Sequence, residues 1–355
     1  LNTPGAKISP TLAIWRVENS VELPDGVAWL SGSDVSSKLS HRLSEISAWD
    51  QKSGDAVSAL FLSSASSVNA LSVKRGVNVQ QPLLLSQLAV EESSNCFAPL
   101  IIVDVEPQAS VTVIDDLSSA NDGFEKGLIA PRIEIFAGAG TNVNFISLVR
   151  AAAGVKVLGR HCFHLSRDSQ FSSAHVALSG DVSRIDIDVA LNEPGANASL
   201  IGISLADQNR HIDFHTTQWH NAPNCRSDLF FKGVVKDKAR SVYYGYIRVA
   251  EGAQRTDAYQ TNRTLLLSPA ARADAIPNLE IKANDVKCSH GASVSHVNQE
   301  ELFYLMTRGL SRSTAEQIIV EGFLEDLVGR LDNSEIHQWL SAQVLGRLGS
   351  GTPNR

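Results

Sequence analysis

Cysteine is scarce in this chain and nowhere paired. Four stand among 355 residues, at Cys96, Cys162, Cys225 and Cys288, and none falls in a CxxC spacing. Neither a disulfide framework nor a zinc ribbon follows, and a reducing compartment is the default. One methionine and 6 % aromatic residues are too few for a promiscuous hydrophobic binder. Basic residues are outnumbered, 31 against 38 acidic. The formal net charge of −7 argues against wholesale electrostatic binding of nucleic acid or of an anionic membrane. The longest apolar runs, such as Leu83–Leu85 and Pro99–Val103, fall far short of the roughly 20 residues of a membrane-spanning helix. Leu1 opens the chain with neither Met nor a basic-plus-apolar leader, so a processed or trimmed chain is expected. Nucleotide motifs are missing too: there is no GxxxxGK(S/T) and no GxSxG. The GxG of Gly138-Ala-Gly140 runs into Val143 with no helix pattern behind it, and reads as a turn between strands.

What is present is apolar content, 43 %, enough for a sizeable core. Residues 1–55 are mixed in texture, with one short amphipathic helix expected over Ser36–Ala48 from Leu39, Leu43 and Ile46. From 56 to 297, short alternating or β-branched stretches recur between Gly, Asn, Asp and Ser. They include Leu100–Val105, Ser110–Ile114, Arg132–Phe136, Asn142–Val149, Val155–Leu158 and Arg184–Leu191. Leu200–Leu205, His211–Trp219, Asp228–Val235, Ser241–Val249, Leu279–Ala283 and Val286–His290 continue the series. So many strands exceed one sandwich of about 100 residues, and no propeller-blade signature repeats. Elimination leaves a mainly β fold, a β-helix whose coils stack inward faces of Val, Ile and Leu and turn polar residues outward. After Val297 the pattern turns helical. Asn298-Gln-Glu-Glu301 opens a helix that Gly309 stops, Ser313-Thr-Ala-Glu316 opens a second and Asp332-Asn-Ser-Glu335 a third. The expected division is 1–55, a solenoid core at 56–297, a helical domain at 298–348 and a frayed tail at 349–355.

Three groups of side chains could carry chemistry. His211, Asp213 and His215 share one face of a strand and could hold a divalent metal, against the plainer reading of a hydrogen-bonded polar face. Asp186 and Asp188 share a face opposite Ile185, Ile187, Val189 and Leu191, the only obvious acidic pair for a carbohydrate-active β-helix. His161 and His164 fall on opposite faces and do not suit shared ligation. Cys288 and His290 share one face of their strand, with Lys287 on the other, and could converge on a soft metal or a sulfur species. They make at most half of a tetrahedral site, and spacing alone favours an ordinary buried cysteine beside an exposed histidine.

The stretch Pro277-Asn-Leu-Glu-Ile-Lys-Ala-Asn-Asp-Val-Lys-Cys-Ser-His-Gly-Ala292, followed by Glu301-Leu-Phe-Tyr-Leu-Met-Thr-Arg-Gly309, resembles the SufD family of iron–sulfur assembly proteins. Gly245-Tyr-Ile-Arg-Val249, Ala253-Gln-Arg-Thr256 and Gln260-Thr-Asn-Arg-Thr-Leu-Leu-Leu-Ser268 extend the match upstream. The related SufB subunit normally lacks the Cys-Ser-His-Gly run. The resemblance implies a right-handed parallel β-helix flanked by helices, and a non-enzymatic scaffold that leaves ATP hydrolysis to a partner. It implies a complex with SufB, met at the β-helix edge, and with the ATPase SufC, docked on the C-terminal helices. The docking residues would come from the stripes Leu302, Phe303, Met306 and Ile319, Phe323, Leu327. It further implies that His290, with Cys288 secondary, serves a nascent iron–sulfur cluster held transiently at the SufB interface. A homodimer through the same edge is the expectation for the isolated chain. Bacterial cytosol or plastid stroma is the expected compartment, with neither nucleic acid nor membrane as partner. Family members usually carry a longer N-terminal helical region. The competing readings are a stand-alone metalloenzyme using His211, Asp213 and His215, and a carbohydrate-active enzyme using Asp186 and Asp188.

Overall fold

A computed structural model describes residues 15–16, 23–53, 65, 67–89, 96–119, 127–330 and 334–349. The expected junction at 55–56, the first two residues of the Asp332-Asn-Ser-Glu335 helix start and the tail beyond Gly349 lie outside the described residues. Strand after strand of the chain alternates between two walls, which wind into a parallel β-solenoid of about seven turns; Val27–Ser31, at the end of one wall, pairs antiparallel. One wall has nine strands. It runs from Trp15–Arg16 through Leu83–Ala89, Ser110–Ser119, Asn142–Arg150, Gln170–Ala177, Asn197–Ala206, Arg226–Val235 and Thr256–Leu266 to Val286–His296. The path of the other, 11-stranded wall runs from Val27–Ser31 through Ser67–Val73, Pro99–Val105, Arg132–Ala137, Lys156–Leu165, Val182–Leu191, His211–His220 and Arg240–Val249 to Arg272–Ile281. The register is regular. Asn142 lies beside Gln170, Gln170 beside Asn197 and Asn197 beside Arg226. Each turn thus returns after roughly 28 residues, an ordinary solenoid repeat.

The corners explain the polar punctuation of the sequence. Asp168, Gln208, Asn224 and Asp237 all take positive φ at turns, where a short polar side chain is tolerated. Gly138-Ala-Gly140 is such a corner: a Cβ at Gly138 would lie 2.8 Å from the Val105 carbonyl oxygen of the preceding coil. The lumen is filled by apolar side chains stacked in files, among them Val143, Phe145, Phe163, Ile187, Leu200 and Leu229.

The strands absent from the sequence reading include Val27–Ser31, Ser67–Val73 and Leu83–Ala89, and two more that alternation hides. Gln170–Ala177 and Thr256–Leu266 carry polar residues on both faces. The strand expected at Leu279–Ala283 instead covers Arg272–Ile281 and includes Pro277, which is tolerated because this strand is the last of its wall. At the N-terminal end the single expected helix is two, α1 (Ser33–Lys38) and α2 (Ser40–Ser53), separated at Leu39 with φ −123 and ψ 27.

The outward faces differ most from expectation. Asp186 and Asp188 do alternate with the apolar file, but both are buried. Trp49 of α2, Cys162, Ala190 and Trp219 pack together over this part of the wall. Arg160 pairs with Asp188 at 2.8 Å, Trp219 Nε1 donates to Asp188 at 3.0 Å, and Arg184 pairs with Asp186 at 3.0 Å. Nearby, buried Arg132 is held by Asp50 of α2 at 2.8 Å and by Glu134 at 2.6 Å, and His164 bonds Glu134 at 2.8 Å. Burial pushes the Glu134 carboxyl up, but the His164 hydrogen bond and the Arg132 charge outweigh it and hold the group below its usual range.

Three helices follow the solenoid: α3 (Gln299–Thr307), α4 (Arg312–Val328) and α5 (Ser334–Gly349). Asn298 caps α3 by accepting from the Glu300 amide at 2.9 Å, and Gly309, at φ 90, follows its end. The cap of α4 is Ser311, two residues before the expected start, because its hydroxyl accepts from the Thr314 amide. Helices α4 and α5 lie on the outer face of the nine-stranded wall. Val320, Leu324, Leu327, Trp339 and Leu340 pack there against Ile201, Ile203, Leu205 and Val234. Lys232 of the wall reaches the Phe323 carbonyl and Asp326, and Arg347 pairs with Asp207 at 2.8 Å. Among the described residues, no helix is long and apolar enough to cross a membrane.

Candidate functional site

The strands Arg272–Ile281 and Val286–His296 are the last of their walls, so together they form the terminal coil. Side chains whose register partners face the lumen in the preceding coil are open here: Leu279 and Ile281, beside Ile247 and Val249, and Val294, beside Thr264, are exposed large hydrophobics, and Ile276, beside Tyr244, is exposed on the outward face. An unpaired strand edge with apolar neighbours is a template for further strand pairing.

Cys288 and His290 sit in this coil. The in-register pairing with Thr256–Leu266 places Cys288 beside Ala258 and His290 beside Gln260, both buried positions of the lumen. The two residues therefore share the inward face, and Lys287, beside Asp257, takes the outward one. Their surroundings differ. Cys288 is half-buried and packs against the cluster of Ile247, Val249, Ala253, Ala258 and Ala283. Burial pushes its thiol above the usual range and the Asp257 carboxylate adds to the push. A protonated thiol in an apolar nest is a weak nucleophile and a poor metal ligand. His290 is exposed at the open end. Among the described residues, no group of three or more His, Cys, Asp or Glu side chains could hold a metal.

That finding overturns the metal reading of His211, Asp213 and His215. The three do project from one strand face, but His215 bonds Asp213 at 3.0 Å, stacks on Tyr244 at 5.1 Å and has the Arg184 guanidinium 3.5 Å from Nδ1. Both ring nitrogens of His215 are thus engaged by neighbours on the wall. The acidic pair of the carbohydrate reading fails for a similar reason, since Asp186 and Asp188 are buried against arginines. His161 and His164 face opposite ways as expected, His161 inside against His175 at 3.3 Å and His164 outside on Glu134.

The C-terminal stripes are divided. Phe303 is 68 % exposed and Met306 40 %, with Tyr304 and Ile318 also open. Leu302 and Leu327 are buried, and Ile319 and Phe323 pack against the cluster on the wall. Of the six expected docking residues, then, Phe303 and Met306 are the exposed ones: the solenoid's outer wall covers the second stripe, and Leu302 of the first is buried. Sequence reasoning missed Gln260 and His175, both on the strands that alternation concealed, and the buried Arg132–Glu134 pair, which lies in a strand read only by its apolar residues.

A parallel β-solenoid with helices packed on its outer walls and an open terminal coil is the class that fold and site define. The family model described as SUF system FeS cluster assembly, SufBD core domain, matches residues 88–323. The chain belongs to this family of iron–sulfur cluster assembly proteins. It is 34 % identical over 323 residues to the iron–sulfur cluster assembly protein SufD of Escherichia coli (strain K12), spanning 87 % of this chain and 74 % of that one. A SufBD family protein of Mycobacterium leprae is 26 % identical over 82 % of this chain and 74 % of its own length. A chloroplastic protein of Arabidopsis thaliana is 26 % identical over 92 % of this chain and 70 % of its own.

Proposed function

We propose that the chain is the SufD-type scaffold subunit of an iron–sulfur assembly complex and performs no catalysis of its own. Its terminal coil pairs with a SufB-like β-helix, the exposed face of α3 carries a SufC-like ATPase, and the solenoid is right-handed. Iron and the nascent cluster are cargo, met transiently at the SufB-like junction by His290. The observation that carries this reading is the open terminal coil: a histidine on the same inward face as the exposed Leu279, Ile281 and Val294, in strands that end their walls among the described residues. The same edge makes a homodimer the expected state of the chain alone. Its relatives include a bacterial protein and a chloroplastic one, which supports bacterial cytosol or plastid stroma.

The junction needs His290 for chemistry rather than for docking. Imidazole can ligate iron or give a proton to a sulfur species at neutral pH, whereas the packed Cys288 thiol does neither well. In the reconstituted complex, His290→Ala should lower iron per intact complex while size-exclusion shows normal assembly, and Cys288→Ser should do less. A normal iron count in assembled His290→Ala complex refutes the role of His290. Failure of the wild-type chain to co-elute with SufB-like and SufC-like subunits refutes the scaffold reading.

A further inference from the structure

Directly beneath His290 lies a glutamine that the fold has gone to some length to bury. Gln260 is paired in register with His290 in the adjacent strand and faces the same lumen. It is 1 % exposed. Its Nε2 donates towards the carbonyl of Asn278 at 3.4 Å, in the terminal strand of the opposite wall, so the amide spans the lumen as a floor to the open coil. Its Oε1 is buried and has no hydrogen-bond partner among the described residues. Space for that oxygen is made by Gly245. A Cβ there would stand 2.3 Å from Gln260 Oε1 and 2.9 Å from the Tyr243 hydroxyl, which is itself engaged with Thr216 at 3.1 Å. Gly245 is not in the left-handed region, so its lack of a side chain serves the amide rather than the backbone.

A buried carbonyl oxygen without a donor is costly, and in a parallel solenoid the side chain stacked one strand away is its natural partner. Here that side chain is an imidazole, one of whose two nitrogens carries a proton in the neutral form. We propose that Gln260 is a positioning residue for His290: the exposed imidazole, which does not reach Oε1 in this structure, turns inward to give that oxygen its ring proton, which leaves the lone pair of the other nitrogen aimed out of the open end. A carbonyl acceptor that selects the tautomer and orientation of a working histidine is a familiar device at metal-handling sites. The inference rests on the reading of His290 as the working residue. Its test is made on the isolated chain as a monomer, without iron or other subunits and at a dilution where size-exclusion shows no homodimer, so the two fail separately.

The probe is the pair of ring ¹⁵N shifts of His290 in histidine-labelled protein at pH 8, assigned by its loss in His290→Ala from the ten histidines of the chain. In the parent, one tautomer should dominate. Gln260→Leu removes the acceptor and should shift the tautomer ratio by about fivefold, the bias of one ordinary hydrogen bond. Gln260→Glu keeps an acceptor and should hold the parent tautomer, an outcome that a purely space-filling role for Gln260 does not give. Should Gln260→Leu misfold, Gly245→Ala displaces the amide by steric contact alone and should move the His290 shifts in the same direction. His290 shifts that stay at parent values in every folded Gln260 and Gly245 variant overturn the proposal.

Discussion

Removing everything after Val297 tests whether the C-terminal helices form a separable docking module or part of the solenoid's own packing. Seven side chains of α4 and α5, namely Val320, Leu324, Leu327, Ile336, Trp339, Leu340 and Val344, are buried in one cluster with the outer face of the nine-stranded wall. Burial of a large apolar side chain stabilises by about 1.5–3 kcal/mol, so the group contributes about 10–20 kcal/mol, an upper figure because unfolded chains already bury some surface. If half of it is contact with the wall, the truncated chain loses about 5–10 kcal/mol, comparable to the whole stability of an ordinary domain. It also lays bare Ile201, Ile203, Leu205, Phe230 and Val234 as one apolar strip. The truncated chain should therefore melt well below the full chain by circular dichroism, bind a hydrophobic dye and aggregate. A truncated chain that melts within a few degrees of the parent and binds no dye would refute this packing argument.

The ATPase docking surface should map to α3 alone. Phe303→Ala with Met306→Ala should weaken ATPase binding by about 100-fold, about 3 kcal/mol for an aromatic buried from its present exposure, with no change in melting temperature. Truncating Glu134 to Ala leaves Arg132 short of one of its two carboxylates in a buried site and should cost about 3–5 kcal/mol by denaturant unfolding. Asp115 sits in the lumen with Gln87 as donor, and burial pushes its carboxyl up to about 7. The folded chain then holds a proton that the unfolded chain has lost above about pH 4, so this group's contribution falls as pH rises, by about 1.4 kcal/mol per unit, and levels off past about 7. Asp115→Asn should accordingly be more stable than the parent at pH 8 and nearly equal to it at pH 4; an equal difference at both values contradicts the shift.

Much of the solenoid was legible because parallel coils repeat a strong local signal. Arg184–Leu191 shows its inward file in plain alternation, and the short polar corners fall where the chain must turn. Thr256–Leu266 was not legible, since Gln260, Asn262 and Thr264 place polar groups inside the lumen and so erase the contrast that alternation depends on. The packing of α4 and α5 left a trace that could have been used. Leu200-Ile201-Gly202-Ile203-Ser204-Leu205 is apolar on both faces, the mark of a strand covered on both sides. At the site, spacing correctly put Cys288 and His290 on one face. That this face looks into a lumen, and that its coil is the last, are facts of coil order to which no local spacing responds.

A solenoid is close to a one-dimensional array, in which each repeat is held by its two neighbours. Every inner coil here has both, but the coil that carries His290 has one. It is the link nearest to opening, and hydrogen exchange should be fastest there and slow inward coil by coil. A partner that stacks on this end supplies the missing neighbour, so it adds a repeat as much as it occupies a surface. The order of the histidine's own strand then rises with the concentration of whatever stacks there, a second copy of the chain included, by simple mass action, and a monomer keeps its working end in the least committed part of the molecule.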